Sequence, residues 1–288
     1  MMMAADGWYI YTGRDGGVIP PGVTRVRIDE SISVIPALAF NGNRNIVELI
    51  CHVDVKTVGE YAFDGCRSLR IVRMPGVEAV ERGAFAECYA LTTVECGKLE
   101  RIGCCAFLGC KSLTCINLSS AKIVERSAFW NCAALTNIKF SDKLERIEKW
   151  AFRNCTCLEG ITIPLREGII TDDNIFQMCE NLKQVDLVEG ALHDTIAALL
   201  LEEWKIDMKD KIDSINQILP TTPAGDDFGG VGEKAEAVQS WISSVLRNII
   251  GYKAQHRSYL NEAATTLQLD LPNDIVNKNV LPFLELPS

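Results

Sequence analysis

Apolar side chains recur along residues 35–187 with a period of 22 to 24 residues. The clearest copy runs from Ile102 to Leu118 and reduces to the pattern I-x-x-x-A-F-x-x-C-x-x-L-x-x-I-x-L. Its phenylalanine occurs seven times in register, at Phe40, Phe63, Phe85, Phe107, Phe129, Phe152 and Phe176. Self-similarity at such a spacing is typical of a solenoid, in which each unit stacks on the next.

The positions around the phenylalanine predict the structure of one unit. A cysteine follows it three residues later in six copies, and an apolar residue comes three positions after that. A period-two apolar pair then predicts a short strand with one inward face. The A-F-x-x-C-x-x-L segment has a spacing typical of a helical turn. Because a unit of about 22 residues cannot bury its own apolar face, we predict an α/β-type solenoid with parallel strands.

The predicted ladder holds about eight strands over residues 23–189, formed by seven to eight repeats of 22–24 residues. It begins with a truncated copy, Val23–Ile28, which has the strand pattern without the preceding A-F-x-x-C segment. Residues 1–22 are expected to form an N-terminal cap, in which Trp8, Tyr9 and Tyr11 cover the open end of the core rather than form a binding patch. The strands are centred on Val26, Leu49, Val72, Val94, Ile116, Ile138, Ile161 and Val185.

The repeat resembles the BspA-type leucine-rich repeat, whose consensus runs I-G-x-x-A-F-x-x-C-x-x-L-x-x-I-x-I-P. Ile102 to Leu118 follows this consensus almost throughout, and Leu158 to Pro164 supplies the terminal proline. The resemblance covers roughly residues 18–188. It implies a leucine-rich-repeat fold and a binding scaffold, as in microbial surface proteins and the microbial-eukaryote members of the family. The closing L-P-F-L-E-L-P-S, together with a helical tail, resembles proteins of photosynthetic protists.

Beyond Gly190 the apolar period changes to that of a helix. Apolar residues recur every three or four positions from Leu192 to Leu219 and again from Val238 to Leu267. A loop rich in Pro and Gly separates the two stretches, at residues 220–234, and is expected to be flexible. We therefore predict an α-helical, hairpin-like module at residues 190–288. It either caps the last repeat or forms a helix pair for partner binding or self-association.

The charge distribution and the N-terminus bear on partners and location. Residues 1–189 carry 21 Lys and Arg against 24 Asp and Glu, and residues 190–288 carry 8 against 14. This acidic balance argues against nucleic acid and anionic membranes as partners. The sequence has neither a signal-peptide pattern nor an apolar run of bilayer length, so no membrane insertion is predicted. The expected location is intracellular, cytoplasmic or nuclear, where the twelve cysteines would be reduced.

No constellation of residues in the sequence predicts catalysis, a cofactor or a metal. The six cysteines of the repeat, Cys66 to Cys179, are expected to form a buried column and behave as small apolar side chains. Paired C-x-x-C spacings are missing, which disfavours zinc. The histidines His52, His193 and His256 lie in different units. Cys115 is expected to be the most exposed thiol.

The outward face of the strands is the candidate recognition surface. Two residues flank the first buried position of each strand, and repeat solenoids use such a continuous face for binding. Arg73 is the one residue there of the Trp, Tyr or Arg kind that dominates protein interfaces. A solvated face without a partner is the alternative. The predicted partner-binding residues are Glu48, Ile50, Ile71, Arg73, Thr93, Glu95, Asn117, Asn137, Lys139, Thr162, Gln184 and Asp186, and Cys115 and Gly160 are expected to face the same way.

The sequence thus predicts a non-catalytic scaffold for protein–protein interaction, with a protein partner that the residues do not identify. The alternative implied by the family resemblance is a cell-surface or adhesion-type recognition protein.

Overall fold

The computed structural model describes residues 7–13, 19–164, 169–170, 174–182 and 184–188, with Ser240, Ile242, Ser243, Arg247 and Gly251 beyond them. The helical module predicted at 190–288, with its loop at 220–234, lies outside the described residues apart from those five. Of the five, Ile242 is buried and belongs to the apolar core cluster.

Most repeats contribute two short strands, and every strand pairs in parallel with the equivalent strand of a neighbouring repeat. The described residues form β1 (Tyr9–Tyr11), β2 (Arg25–Ile28), β3 (Val34–Ile35), β4 (Glu48–Ile50), β5 (Thr57–Val58), β6 (Ile71–Arg73), β7 (Ala79–Val80), β8 (Thr93–Glu95), β9 (Arg101–Ile102), β10 (Cys115–Ile116), β11 (Ile123–Val124), β12 (Asn137–Lys139), β13 (Arg146–Ile147), β14 (Gly160–Ile163) and β15 (Gln184–Leu187).

The long-strand sheet contains the predicted ladder. Its strands follow the order β1-β2-β4-β6-β8-β10 and continue as β12-β14-β15. The predicted strand centres lie opposite one another, as with Leu49 and Val72 or Ile138 and Ile161. The parallel leucine-rich-repeat ladder is therefore confirmed. It is less regular than predicted between β10 and β12, where an isolated bridge from Leu118 to Phe140 joins the two parts.

A second sheet, the short-strand sheet, was not predicted. It runs β3-β5-β7-β9-β11-β13. Each strand is two residues long and buries only its second residue. A single inward residue gives no alternation of apolar and polar positions, so the pattern by which strands are recognised is missing. The solenoid therefore has two parallel ladders where the sequence predicted one.

The helical turn predicted for A-F-x-x-C-x-x-L is wrong, because this segment is a series of turns. Around Phe107, the residues two before and two after it have positive φ, at 57° for Cys105 and 73° for Gly109. Left-handed residues cannot continue a right-handed helix. The turns instead bond to the next repeat, as when the Phe85 N–H donates to the Ala106 carbonyl at 2.8 Å. We call the stacked turns the turn edge.

The core consists of repeated, nearly identical layers. The seven phenylalanine rings form one column, with neighbouring centroids 4.7–5.9 Å apart and planes within 11° of parallel. The predicted cysteine column is present and buried beside it. Each thiol donates a hydrogen bond to the phenylalanine carbonyl of the preceding repeat, for example from Cys110 Sγ to Phe85 O at 3.2 Å. The thiols therefore tie successive layers together.

Aromatic residues cover the first layer of this core. Tyr9 and Tyr11 on β1 are buried, and the Tyr11 ring lies 4.7 Å from the Phe40 ring. Trp8 is also buried, and the Arg25 guanidinium lies 4.3 Å from the centre of its ring. The apolar end of the phenylalanine column is thus closed by side chains from β1.

Candidate binding surfaces

The predicted partner-binding residues lie in two columns on the outward face of the long-strand sheet, since the parallel register aligns equivalent positions. Gly160 lies in one of these columns as predicted, between Asn137 and Gln184, but it is buried. A Cβ there would meet Asn137 Oδ1 at 2.8 Å, so the Asn137 side chain covers this position. The first column consists of Glu48, Ile71, Thr93, Asn137 and Gln184. The second column consists of Ile50, Arg73, Glu95, Lys139, Thr162 and Asp186. Asn117 directly follows β10.

Charged residues on this face are tied into an ion-pair ladder. Arg73 pairs with Glu48, and its Nε lies 3.1 Å from Glu95 Oε1. Glu48 also meets Arg25 Nε at 3.2 Å. The hydrogen bond with Glu48 is the main cause that raises the pKa of Arg73. Arg73 is therefore a fixed part of the surface rather than a free anchor for a partner.

A groove with a volume of about 720 Å³ opens on this face across β6, β8 and β10. Its floor includes Val94 and Ile116, which are 6% and 7% exposed, whereas the equivalent Leu49 and Val72 are fully buried. The core is thus slightly exposed here and fully covered at the earlier repeats. Thr93 and the paired Arg73 and Glu95 form part of the rim.

Two thiols in the groove are neutral at physiological pH. Burial raises the pKa of Cys51 to about 12 and that of Cys96 to about 11. The Cys96 thiol donates to the Asn117 carbonyl at 3.3 Å. Since a neutral thiol is a poor nucleophile, the groove offers these sulfur atoms as apolar lining rather than as reactive groups.

Two overlapping stretches, residues 22–132 and 78–197, match the family model described as BspA type leucine rich repeat region, in six copies. The chain belongs to the BspA-type leucine-rich repeat family. Proteins of this family are typically surface or protein-interaction proteins. A comparison with curated proteins found no match.

Solved structures similar to this BspA-type protein are bacterial leucine-rich repeat proteins. A leucine rich cell surface protein from Faecalibacterium prausnitzii is 23% identical, with a TM-score of 0.41; the match covers 57% of this chain and 54% of that one. The T. pallidum protein TpLRR is 20% identical, with a TM-score of 0.42 and coverages of 64% and 77%. A leucine-rich repeat protein from Bacteroides ovatus is 25% identical, with a TM-score of 0.31 and coverages of 59% and 62%. The chain thus spans about half of the first protein's length.

Aromatic and basic residues gather on the turn edge of the BspA-type solenoid, a surface that the sequence did not single out. We call Arg126, Trp130, Lys149, Trp150 and Arg153 the aromatic–basic cluster. The two indole rings lie 6.2 Å apart, and the three cations approach them within 4.5–5.7 Å. A helix over the A-F-x-x-C-x-x-L segment, as predicted, would not group these side chains. The Trp and Arg residues close to Phe129 and Phe152 in the sequence were the signal from which the cluster could have been found.

Thiol exposure agrees with the expectation for Cys115, which is exposed, but Cys157 is exposed as well. Cys104 and Cys105 are half-buried neighbours whose sulfur atoms lie 3.6 Å apart. Burial is the first cause that raises the pKa of Cys105 to about 11. Cys105 is therefore not arranged as an activated nucleophile.

His52 has a structural environment. Its Nε2 lies 2.9 Å from the Asp29 carbonyl and 3.0 Å from the Ile32 carbonyl, so Nε2 carries the proton and donates. Its Nδ1 accepts the Asp54 N–H at 3.2 Å. His193 and His256 lie outside the described residues. In the described part of the chain there is no group of three or more His, Cys, Asp or Glu placed to hold a metal ion. No helix in that part is both long and apolar enough to cross a membrane.

Proposed function

We propose that this BspA-type protein is a non-catalytic scaffold that binds another protein through the outward face of its long-strand sheet. The groove across β6, β8 and β10 carries the proposal. It combines an apolar floor with a polar rim, which is the arrangement found at the centre of protein interfaces. Its position is in the middle of the predicted partner-binding columns.

The rim is already ordered before a partner arrives. The ladder through Arg25, Glu48, Arg73 and Glu95 holds long side chains in place, so binding costs less side-chain entropy. Covering the apolar floor of the groove contributes about 25 cal/mol for each Å² of apolar surface removed from water. The affinity therefore comes from the floor, and the rim selects the partner.

We also propose that the protein functions in a reducing compartment. All six thiols of the cysteine column are hydrogen-bond donors to carbonyl groups between layers. A disulfide has no such proton to donate, so oxidation of the column would remove these bonds. This favours an intracellular location such as the cytoplasm or nucleus.

Two exposed cysteines provide a matched pair of variants for testing the binding face. Cys115→Arg places a long side chain at the groove, whereas Cys157→Arg makes the same change away from the groove lining. In affinity capture from source-cell extract, we expect proteins retained by the wild type and by Cys157→Arg to be lost from Cys115→Arg. Quantitative mass spectrometry measures the difference, and melting curves check that both variants are folded.

Two results of this experiment would contradict the proposal. If folded Cys115→Arg retains the same proteins as Cys157→Arg, the groove is not the recognition site. If no variant and no wild-type bait retains proteins above a blank, the scaffold proposal loses its support.

A further inference from the structure

The aromatic–basic cluster brings three positive charges onto two adjacent indole rings. The Arg126 guanidinium carbon lies 4.5 Å from the Trp150 ring centre, and Lys149 Nζ lies 4.8 Å from it. Arg153 lies between the two tryptophans, with its guanidinium carbon 4.8 Å from the Trp130 ring and 5.7 Å from the Trp150 ring. Cation–π contacts at such distances fix the direction of each charge.

The carboxylates of Glu125 and Glu148, which directly precede Arg126 and Lys149 in the sequence, are engaged with other groups. Glu148 Oε1 pairs with Arg146 Nε at 3.0 Å, and its Oε2 accepts the backbone N–H of Arg126 at 3.2 Å. Glu125 accepts the Cys104 N–H at 3.0 Å and lies 3.5 Å from Arg101. Within the described residues, neither Arg126 nor Arg153 has a carboxylate at ion-pair distance.

Arg153 also has an unsatisfied donor. Its Nε is buried and has no hydrogen-bond partner among the described residues. A buried donor without an acceptor costs free energy. A carboxylate bound at Arg126 or Arg153 would give these cations the ionic partner that the described residues do not provide. The arginine guanidinium matches a carboxylate with two parallel N–H bonds.

We propose that the aromatic–basic cluster binds an acidic peptide segment of a partner protein, with Asp or Glu carboxylates on Arg126 and Arg153. This site lies on the turn edge and is distinct from the groove of the long-strand sheet. Its charge complements an acidic segment, although the solenoid as a whole is not basic, with 21 Lys and Arg against 24 Asp and Glu in residues 1–189.

Single-stranded nucleic acid is the other polyanion that aromatic and basic residues bind together. Such proteins stack bases on open aromatic faces. Here Arg126, Lys149 and Arg153 already lie over the indole rings, so the rings orient cations instead of offering a stacking platform. An acidic peptide needs only the cations and is therefore the favoured ligand.

The test uses the full chain and a fluorescein-labelled peptide of alternating Glu and Gly, with the Gln and Gly peptide as its uncharged match. The variant Arg126→Gln/Arg153→Gln removes two charges from the cluster. Arg44→Gln/Arg70→Gln removes two charges from exposed positions elsewhere and serves as the control. Fluorescence anisotropy gives the dissociation constants at about 0.05 M and about 0.3 M salt.

We expect the wild type and the control to bind the Glu peptide equally, and the cluster variant to bind at least tenfold more weakly. Higher salt should weaken the wild-type binding, because the contacts are ionic. If Arg126→Gln/Arg153→Gln is less stable, the single variant Arg126→Gln at an exposed position decides instead, with an expected loss of about threefold or more.

Three outcomes would overturn the proposal. The first is a wild type that binds the Glu peptide no better than the Gln peptide. The second is a folded cluster variant that binds as tightly as the control. In the third, a single-stranded oligonucleotide or an anionic vesicle binds the cluster more tightly than the peptide and is lost with the same variant, which would assign the cluster to another ligand.

Discussion

The buried thiols show how a single residue type holds adjacent repeats together. A cysteine is small enough to fit between layers, and its S–H donates to a carbonyl of the neighbouring repeat. The first copy has Asn43 at this position, and its Oδ1 instead accepts the N–H groups of Asn45 and Ile46. The cysteine column therefore joins repeats, whereas Asn43 stabilises the turn of its own repeat.

This burial predicts that the protein loses stability at alkaline pH. Burial raises the pKa of Cys66 from its ordinary 9.0 to about 12, and it raises the pKa of Cys88 and Cys110 well above 9.0. Below pH 9 the thiols are protonated in both states. Above it the unfolded chain releases protons that the folded chain keeps, so each thiol lowers the free energy of unfolding by about 1.4 kcal/mol per pH unit.

Urea unfolding between pH 7 and pH 11 measures this effect, and Cys110→Ser is the matched variant. Its stability should fall less steeply above pH 9 than that of the wild type, because one thiol fewer titrates. Equal slopes would show that Cys110 does not contribute to the alkaline loss.

At the scale of the elements, the turn beside each phenylalanine depends on residues that accept positive φ. Gly109 has a φ of 73°, and an added Cβ would meet only ordinary contacts at 3.6 Å or more. Gly97 lies in open space and is not among the positive-φ glycines. Gly109→Ala should therefore lower the free energy of unfolding by about 1–2 kcal/mol, because alanine is strained in the left-handed conformation. Gly97→Ala is the control, because it changes the entropy of the unfolded chain in the same way without adding that strain.

The measurement is the difference in the free energy of unfolding between the two alanine variants, from urea titrations. Equal stabilities would mean that the turn at Gly109 relaxes to a conformation with negative φ.

The phenylalanine column is the element with the largest expected contribution to stability. Phe107 is fully buried, with ring centroids 5.4 Å from Phe85 and 5.3 Å from Phe129. Phe107→Ala should cost about 3–5 kcal/mol, because the layers on both sides lose packing and a cavity remains. Phe107→Leu keeps more of the volume and should cost less. A loss below about 1 kcal/mol for the alanine variant would contradict a tightly packed column.

These elements also show what the sequence could predict. The strands of the long-strand sheet carry apolar residues with period two, so their centres and parallel pairing followed from spacing alone. The strands of the short-strand sheet could not be predicted in this way, because each buries only one residue. The helix was predicted wrongly because a spacing of three between Phe and Cys fits a turn as well as a helix. Gly42, Gly65 and Gly109, two residues after their phenylalanines, were the available signal for the turns.

At the scale of the whole molecule, the two candidate surfaces arise from side chains that only the stacked repeats bring together. The outward columns could be predicted, because register follows from the repeat. The groove could not, since it depends on small differences in the exposure of Val94 and Ile116. The aromatic–basic cluster combines residues from adjacent repeats, such as Arg126 and Trp150, which lie 24 positions apart in the sequence.

Site-specific photo-crosslinking from Cys115 tests most directly whether the groove is where a partner protein binds. Two proteins are compared, one carrying Cys157→Ser and labelled at Cys115, the other carrying Cys115→Ser and labelled at Cys157, with Cys104 and Cys105 changed to serine in both. The thiols of the cysteine column are protected by burial, and Cys51 and Cys96 in the groove are only 3% and 6% exposed and have a raised pKa. We predict that a partner from source-cell extract crosslinks to the Cys115 label and not to the Cys157 label. Crosslinking from Cys157 alone would contradict recognition by the groove of the long-strand sheet.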